Sequence, residues 1–247
     1  MKLSVVIPFH KELPLISRAV ESVLDNSKNV DEVEVFICND GPLSESEIRA
    51  MLSPIANQVT TVLVNRHPNG PGGARNTGLD ACTGDCIAFL DADDYWLPGK
   101  VAAQFAAIQA GANFVPTAYR FDTSQTVVQP PASIDKALDV FLQRGIGTST
   151  VMITKALLAD QRFKDIRFAQ DIDYWYALAS NLEFRYMPLS VCFVEYSTGG
   201  STKNKLIQLK YLYKVLEINK INLSMRIRVL VSYMASGIYN HYLRKLI

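Results

Sequence analysis

Three carboxylates stand together in the segment FLDADD, where Asp91, Asp93 and Asp94 follow the apolar run at residues 87–90. Hard divalent cations take oxygen ligands. When they serve a phosphate-bearing substrate, Mg²⁺ and Mn²⁺ are held by one or two carboxylates, phosphate oxygens and water. An Asp-x-Asp spacing at the end of a strand therefore suits a metal bridged to a diphosphate. The plainer use is a helix N-cap, because Asp is favoured ahead of a helix and residues 95–104 could begin one. One aspartate needs no more than that; three together favour the cation.

A second cluster lies just upstream, in NRHPNGPGGARNTGLDACTGD. Gly70, Gly72, Gly73 and Gly78 suggest a dinucleotide loop of the G-x-G-x-x-G kind, but the third glycine of that pattern would fall at Arg75. Arg75 serves better as a cation beside a nucleotide or diphosphate, since a guanidinium donates paired hydrogen bonds to oxygens. On its own it reads equally as a surface arginine. Cys38, Cys82, Cys86 and Cys192 form no C-x-x-C pair and have no histidine nearby, so they read as reduced structural thiols.

These residues need a scaffold to bring them together. Short β-branched runs at 3–7, 33–38, 59–64, 87–90 and 113–115 read as strands, and apolar spacing at 14–24 and 100–109 reads as helices between them. Alternating strands and helices, with strands apolar throughout, predict an α/β fold with a mainly parallel sheet flanked by helices. Ligands in such sheets gather beyond the carboxyl ends of the strands. PFHKE, NDGP and DADD all fall there, after the first, second and fourth strands.

At 247 residues with 49% hydrophobic and 20% charged side chains, the chain can bury one substantial core, which argues against disorder. The opening MKLSVVIPF is too short and meets Pro8 too early for a signal-peptide core, so it reads as a buried strand. A loop at 125–133, with Pro130 and Pro131, divides residues 1–124 from 125–202. Residues 203–247 hold nine Lys or Arg and one Glu, a net +8 that leaves −7 for residues 1–202. Apolar spacing from Leu206 to Leu216 and from Leu223 to Ile238 predicts two amphipathic helices in this basic tail. Its longest weakly polar run is shorter than the ~20 residues that span a bilayer. The tail can rest on an anionic membrane surface or complete the core. Nucleic acid is not expected, because the basic residues accompany long apolar faces and the main body is acidic.

The segments SVVIPFHKE, ICNDGP, GGARNTGLDACTGDCIAFLDADD, QDIDYWYAL and YSTGGST, in that order, resemble the successive motifs of family 2 glycosyltransferases over residues 3–202. The resemblance implies a GT-A fold with a Rossmann-like sheet, a nucleotide-sugar donor half at 1–124, an acceptor half at 125–202 and an inverting mechanism. It places Pro8, Phe9, His10 and Glu12 in the first nucleotide-binding loop, with Asp40 on the base and Arg75 in the alanine-arginine-asparagine motif. Asp91 and Asp93 take the metal motif, with Asp93 touching Mn²⁺ or Mg²⁺, and Asp171 is the catalytic carboxylate. Tyr196, Ser201 and Thr202 fall in the closing motif. His10, Lys11, Asn39, Gln170 and Ala177 depart from the usual residues of these motifs.

Asp173 lies about 200° round a helix from Asp171, so it is given a structural or acceptor-positioning role. Tyr174 and Trp175 read as core before sugar platforms. The implied activity is transfer from a nucleotide diphosphate sugar, a UDP-sugar by preference, to a hydroxyl of a saccharide or lipid-linked acceptor. Its setting would be bacterial cell-surface polysaccharide synthesis, in the cytoplasm or peripheral on the inner membrane face. The competing reading is a non-catalytic nucleotide-sugar or glycan-binding module.

Overall fold

The β-branched N-terminal run forms β1 (Lys2–Phe9), buried from Leu3 onward at the centre of a six-stranded sheet. The computed structural model describes residues 1–11, 15–28, 30–198 and 205–238. After β1 come α1 (Ile16–Asn26), β2 (Glu32–Asn39), α2 (Glu45–Arg49), α3 (Pro54–Val59), β3 (Thr60–Val64), α4 (Pro71–Ala81) and β4 (Cys86–Phe89). The chain continues through β5 (Tyr95–Trp96), α5 (Lys100–Gln109), β6 (Phe114–Val115), β7 (Thr117–Phe121), α6 (Asp139–Leu142), β8 (Met152–Thr154), α7 (Lys155–Leu158) and α8 (Gln170–Ala179). It closes with β9 (Leu189–Tyr196), α9 (Lys205–Ile218) and α10 (Leu223–Ile238).

The large sheet runs in the order β3-β2-β1-β4-β8-β6. Its first four strands are parallel, while β8 is antiparallel to both β4 and β6. Two cores cover its faces. One gathers β1, β2 and β4 side chains with Ile16, Val20 and Val23 of α1. The other packs Val6, Phe36 and Phe89 against α4 and the aromatic pair Tyr174 and Trp175 of α8. Gly78 of α4 is required for the second contact, because a Cβ there would stand 2.5 Å from Val6 Cγ1 and 2.8 Å from Cys38 Sγ.

Register sets where the polar segments arrive. Phe9 pairs with Asn39 and Val6 with Phe89, so β1, β2 and β4 end along one edge. The Asp40 backbone N–H donates to Phe9 O, and the Leu90 N–H to Val6 O. His10, Asp40 and the DADD segment thus leave the sheet side by side.

All five strands expected from the sequence form. Four others went unread: β5 and β8 span two and three residues, and β7 and β9 are mostly partly buried or exposed, with polar side chains interrupting them. β5, β9 and β7 make a second, three-stranded sheet. The N-cap reading of the aspartate cluster is overturned. Tyr95 and Trp96 are strand residues, and α5 starts only at Lys100, after Gly99 at φ 92. The two tail helices form as expected, and Leu212, Val215, Leu216 and Val229 pack with Phe141 and Ile166 in a third core. The cysteines read as thiols are free among the described residues, and burial pushes Cys38 and Cys82 up to about 12.

Candidate active site

A cleft of ≈ 1080 Å³ opens at the carboxyl edge of the parallel strands. Pro8, Phe9, His10, Asp40, Arg75, Asp91, Asp93 and Asp171 all line it, so residues from five separated segments meet there. Glu12, Ser201 and Thr202 lie outside the described residues.

On the donor side, His10 Nδ1 lies 3.0 Å from the Asp40 carbonyl oxygen, which fixes the imidazole at the rim. The Asp40 carboxylate accepts from Asn65 Nδ2 at 2.7 Å and from the Gly70 backbone N–H at 2.6 Å. It therefore anchors the turn into α4, with one further lone pair on each oxygen for a ligand. That turn needs glycine: Gly70 has φ 120, and Pro71 then starts the helix at a position where a missing N–H costs nothing.

α4 delivers Arg75, which is 4% exposed. Its guanidinium donates to Asp91 Oδ1 at 2.5 Å and lies 5.4 Å from the Phe163 ring centroid. Arg75 Nε is buried without a protein partner, the kind of orphan donor that a ligand oxygen would satisfy. The next residue ties the two halves together. Asn76 Nδ2 donates to Phe163 O at 2.8 Å, and the Phe163 N–H donates back to Asn76 Oδ1 at 2.9 Å.

The acidic cluster is held from below by Ser149. Its hydroxyl accepts the Asp91 N–H at 3.0 Å and donates to Asp94 Oδ2 at 2.6 Å, while the Ser197 N–H reaches Asp94 Oδ1 at 3.0 Å. Burial, with the charges of Asp91 and Asp93 added, pushes Asp94 up to about 8 despite the bonds from Ser149 and Ser197. The donor set fits a hard divalent cation, because it is acidic and all oxygen, and Asp91 keeps an oxygen beyond the one paired with Arg75. Among the described residues no three acidic, His or Cys side chains close around one point. A cation on Asp91 and Asp93 would thus complete its shell with substrate oxygens and water.

Asp171 faces this cluster from the first turn of α8. Burial raises its pKa, against the opposing bond from the Ile172 N–H at 2.9 Å and the charge of Arg75. A carboxylate whose pKa is raised is a stronger base once ionised. Gln170, 8% exposed, takes the space that Gly72 leaves, since a Cβ on Gly72 would collide with its Oε1. Asp173 points away into the protein, where its Oδ1 accepts from Lys164 Nζ at 2.9 Å and Asn219 Nδ2 at 2.6 Å. Tyr174 and Trp175 are core, at 0% and 1% exposure, though Trp175 also reaches the cleft wall.

Residues 4–166 match the family described as Glycosyl transferase family 2. The chain belongs to that family. It is 26% identical, over 245 residues covering 96% of this chain and 94% of the relative, to the Escherichia coli UDP-Glc:alpha-D-GlcNAc-diphosphoundecaprenol beta-1,3-glucosyltransferase WfgD. Staphylococcus aureus TarS in complex with UDP superposes with a TM-score of 0.67 at 19% identity, over 98% of this chain and 73% of that one. The mannosyltransferase PcManGT of Pyrobaculum calidifontis, in complex with GDP-Man and Mn²⁺, gives 0.62 at 15% identity, over 97% and 70%. The fold is GT-A, and the protein is a glycosyltransferase.

Several residues of this family 2 enzyme's cleft were not legible as site residues. Ser149, Lys164, Arg144 and Arg167 sit outside any motif, and Gln208, Leu212 and Tyr233 reach the cleft from the tail helices. Asn76 alone carried a signal, as the third residue of the alanine-arginine-asparagine run.

Proposed function

We propose that this glycosyltransferase transfers a hexosyl group, with inversion, from a UDP-sugar to a hydroxyl of a lipid-linked saccharide in bacterial cell-surface polysaccharide synthesis. One observation carries the reading: Asp171 on α8 faces the Arg75–Asp91 pair and Asp93 across one cleft, base on one side and diphosphate groups on the other. The likeness to WfgD along nearly the whole of both chains supports the choice of donor and of acceptor class.

Asp171 accepts the acceptor hydroxyl proton as that oxygen attacks the anomeric carbon, a contribution of typically ~10²- to 10⁴-fold. Arg75 donates from Nε and its remaining N–H groups to the diphosphate as charge builds on the leaving group. A divalent ion held by Asp91 and Asp93 would supply Lewis-acid neutralisation of that charge, on the order of several kcal/mol. Pro8, Phe9, His10 and Asp40 form the nucleoside end, with the His10 ring as stacking surface and the spare Asp40 lone pairs as acceptors for the base.

The tail supports a peripheral position on the cytoplasmic membrane face. α10 exposes Leu223, Ile227, Val231 and Met234 along one stripe, beside Lys210, Lys214 and Arg228. Apolar side chains enter the headgroup boundary while each basic residue near an anionic surface adds about 1 kcal/mol. Among the described residues no helix is long and apolar enough to cross a membrane.

A thermal-shift panel of UDP, GDP, CMP and TDP, with and without Mn²⁺, tests the donor assignment, because a ligand of the native state raises apparent stability. UDP is expected to stabilise in a Mn²⁺-dependent way that Asp93→Ala abolishes. Stabilisation by another nucleotide replaces the donor, and no response to any of them moves the weight to a glycan-binding module.

A further inference from the structure

Two arginines on the acceptor side of the cleft have no part in the chemistry above. Arg144 follows α6, and Arg167 precedes Asp171 on the loop that leads into α8; both line the cleft. Arg75 and Lys164, on the same walls, are paired with Asp91 and Asp173. Arg144 and Arg167 form no ion pair with a carboxylate among the described residues.

Each is instead set on an aromatic ring. The Arg144 guanidinium lies 3.4 Å from the centroid of Tyr233 on α10, and Arg167 lies 5.6 Å from that of Phe168. Phe168 meets Tyr211 of α9 edge-on at 4.9 Å. Both tail helices thus take part in holding the two cations. A guanidinium laid on a ring is ordered in advance, while its in-plane N–H groups remain able to form a fork toward an anion. Partial burial lowers the Arg144 pKa, against the opposing interaction with Tyr233. Both guanidinium groups thus line the cleft on aromatic rings, and neither is in an ion pair with Asp165 or Asp171 of the same wall.

We propose that Arg144 and Arg167 bind the diphosphate of a lipid-linked acceptor, at a site distinct from the donor diphosphate site of Arg75, Asp91 and Asp93. The proposal rests on the glycosyltransferase reading and adds the acceptor's anchoring group to it. The donor's two phosphates already have an arginine and a cation-binding carboxylate pair. Arg167 is carried by the segment that presents the base, so an anion held there lies on the acceptor's side of the cleft. The hairpin that supplies Tyr211 and Tyr233 also exposes Leu223, Ile227, Val231 and Met234, apolar side chains that an alkyl chain could cover.

The test titrates decyl diphosphate into the full chain by calorimetry, with Mn²⁺ and saturating UDP present. Wild type, Arg144→Gln, Arg167→Gln and Arg144→Lys are compared, together with retention on phosphatidylglycerol vesicles. Decyl diphosphate is expected to bind in the presence of UDP. Each Gln variant should weaken that binding roughly 10- to 100-fold, as loss of a charged hydrogen-bond partner does, with UDP affinity, thermal midpoint and vesicle retention unchanged. Arg144→Lys keeps a cation on Tyr233 but removes the planar fork. A loss in that variant at unchanged thermal midpoint reads the ligand and not the fold. The proposal is overturned if wild type fails to bind, if UDP displaces the decyl diphosphate, or if the Gln variants bind as wild type does. A loss on vesicles with decyl diphosphate binding intact overturns it too, by assigning the arginines to lipid headgroups. If UDP itself does not bind, the donor reading fails separately, and the titration without UDP still measures what the two arginines contribute.

Discussion

Replacing Lys164 by Met tests the link between the tail and α8. Asp173, 1% exposed and two residues beyond Asp171, has only two partners for Oδ1, Lys164 Nζ and Asn219 Nδ2, while its Oδ2 is buried without any. Lys164 also donates to Asn219 Oδ1 at 3.0 Å, closing a triangle between α8, the loop before it and the turn between α9 and α10. Removing one partner of a fully buried pair costs about 3–5 kcal/mol, because the remaining charge is left uncompensated. The Lys164 side chain is 40% exposed, so water screens part of the interaction, and exposed pairs are worth about 0–1 kcal/mol. The expected cost of Lys164→Met lies between, at about 2–3 kcal/mol. Urea unfolding at unchanged m-value measures it. Adding Asp173→Asn removes the stranded charge and should recover at least about 1 kcal/mol. A single-variant cost under about 0.5 kcal/mol, or a double variant as unstable as the sum of the singles, would refute this reasoning.

Other perturbations read other parts of the molecule. Gly78→Ala should cost about 1–3 kcal/mol in thermal or urea unfolding, since its Cβ meets Val6 and Cys38 between two packed layers. A neutral result would show that α4 can move off the sheet. For Glu34, burial raises the pKa, but hydrogen bonds from Ser4, Thr83 and Lys2 outweigh it and hold the group at about 2 against an ordinary 4.5. Its stabilisation is therefore present above pH 4.5 and lost as pH falls toward 2. Glu34→Gln should lower stability at neutral pH and flatten that acid limb, as followed by circular dichroism against pH.

The sheet-edge side of the cleft was legible because its polar residues follow directly on strong strand signals. IAFL announces where the backbone points before Asp91 and Asp93, and VFIC does the same for Asp40, so a parallel register brings both to one edge. The opposite wall was not, because its parts are held by contacts between segments far apart in the chain. Asn76 clasps the Phe163 backbone 87 residues away, and Ser149 supports Asp91 from 58 residues downstream. No local period reports such pairs. The tail was read correctly as two amphipathic helices, yet apolar spacing cannot say what an apolar face covers. Phe141, Ile166 and Ala169 fill that role beside α8.

The central claim is that Asp171 is the base of a sugar transfer. Its most direct test is a transfer assay on Asp171→Asn, with Mn²⁺-dependent nucleotide binding measured on the same preparation. The account predicts that transfer falls by about 10²- to 10⁴-fold while nucleotide affinity stays at the wild-type value. It also predicts that wild-type turnover declines as pH drops through the Asp171 pKa, which burial places above the ordinary 3.8. Transfer that survives in Asp171→Asn at the wild-type rate would contradict it.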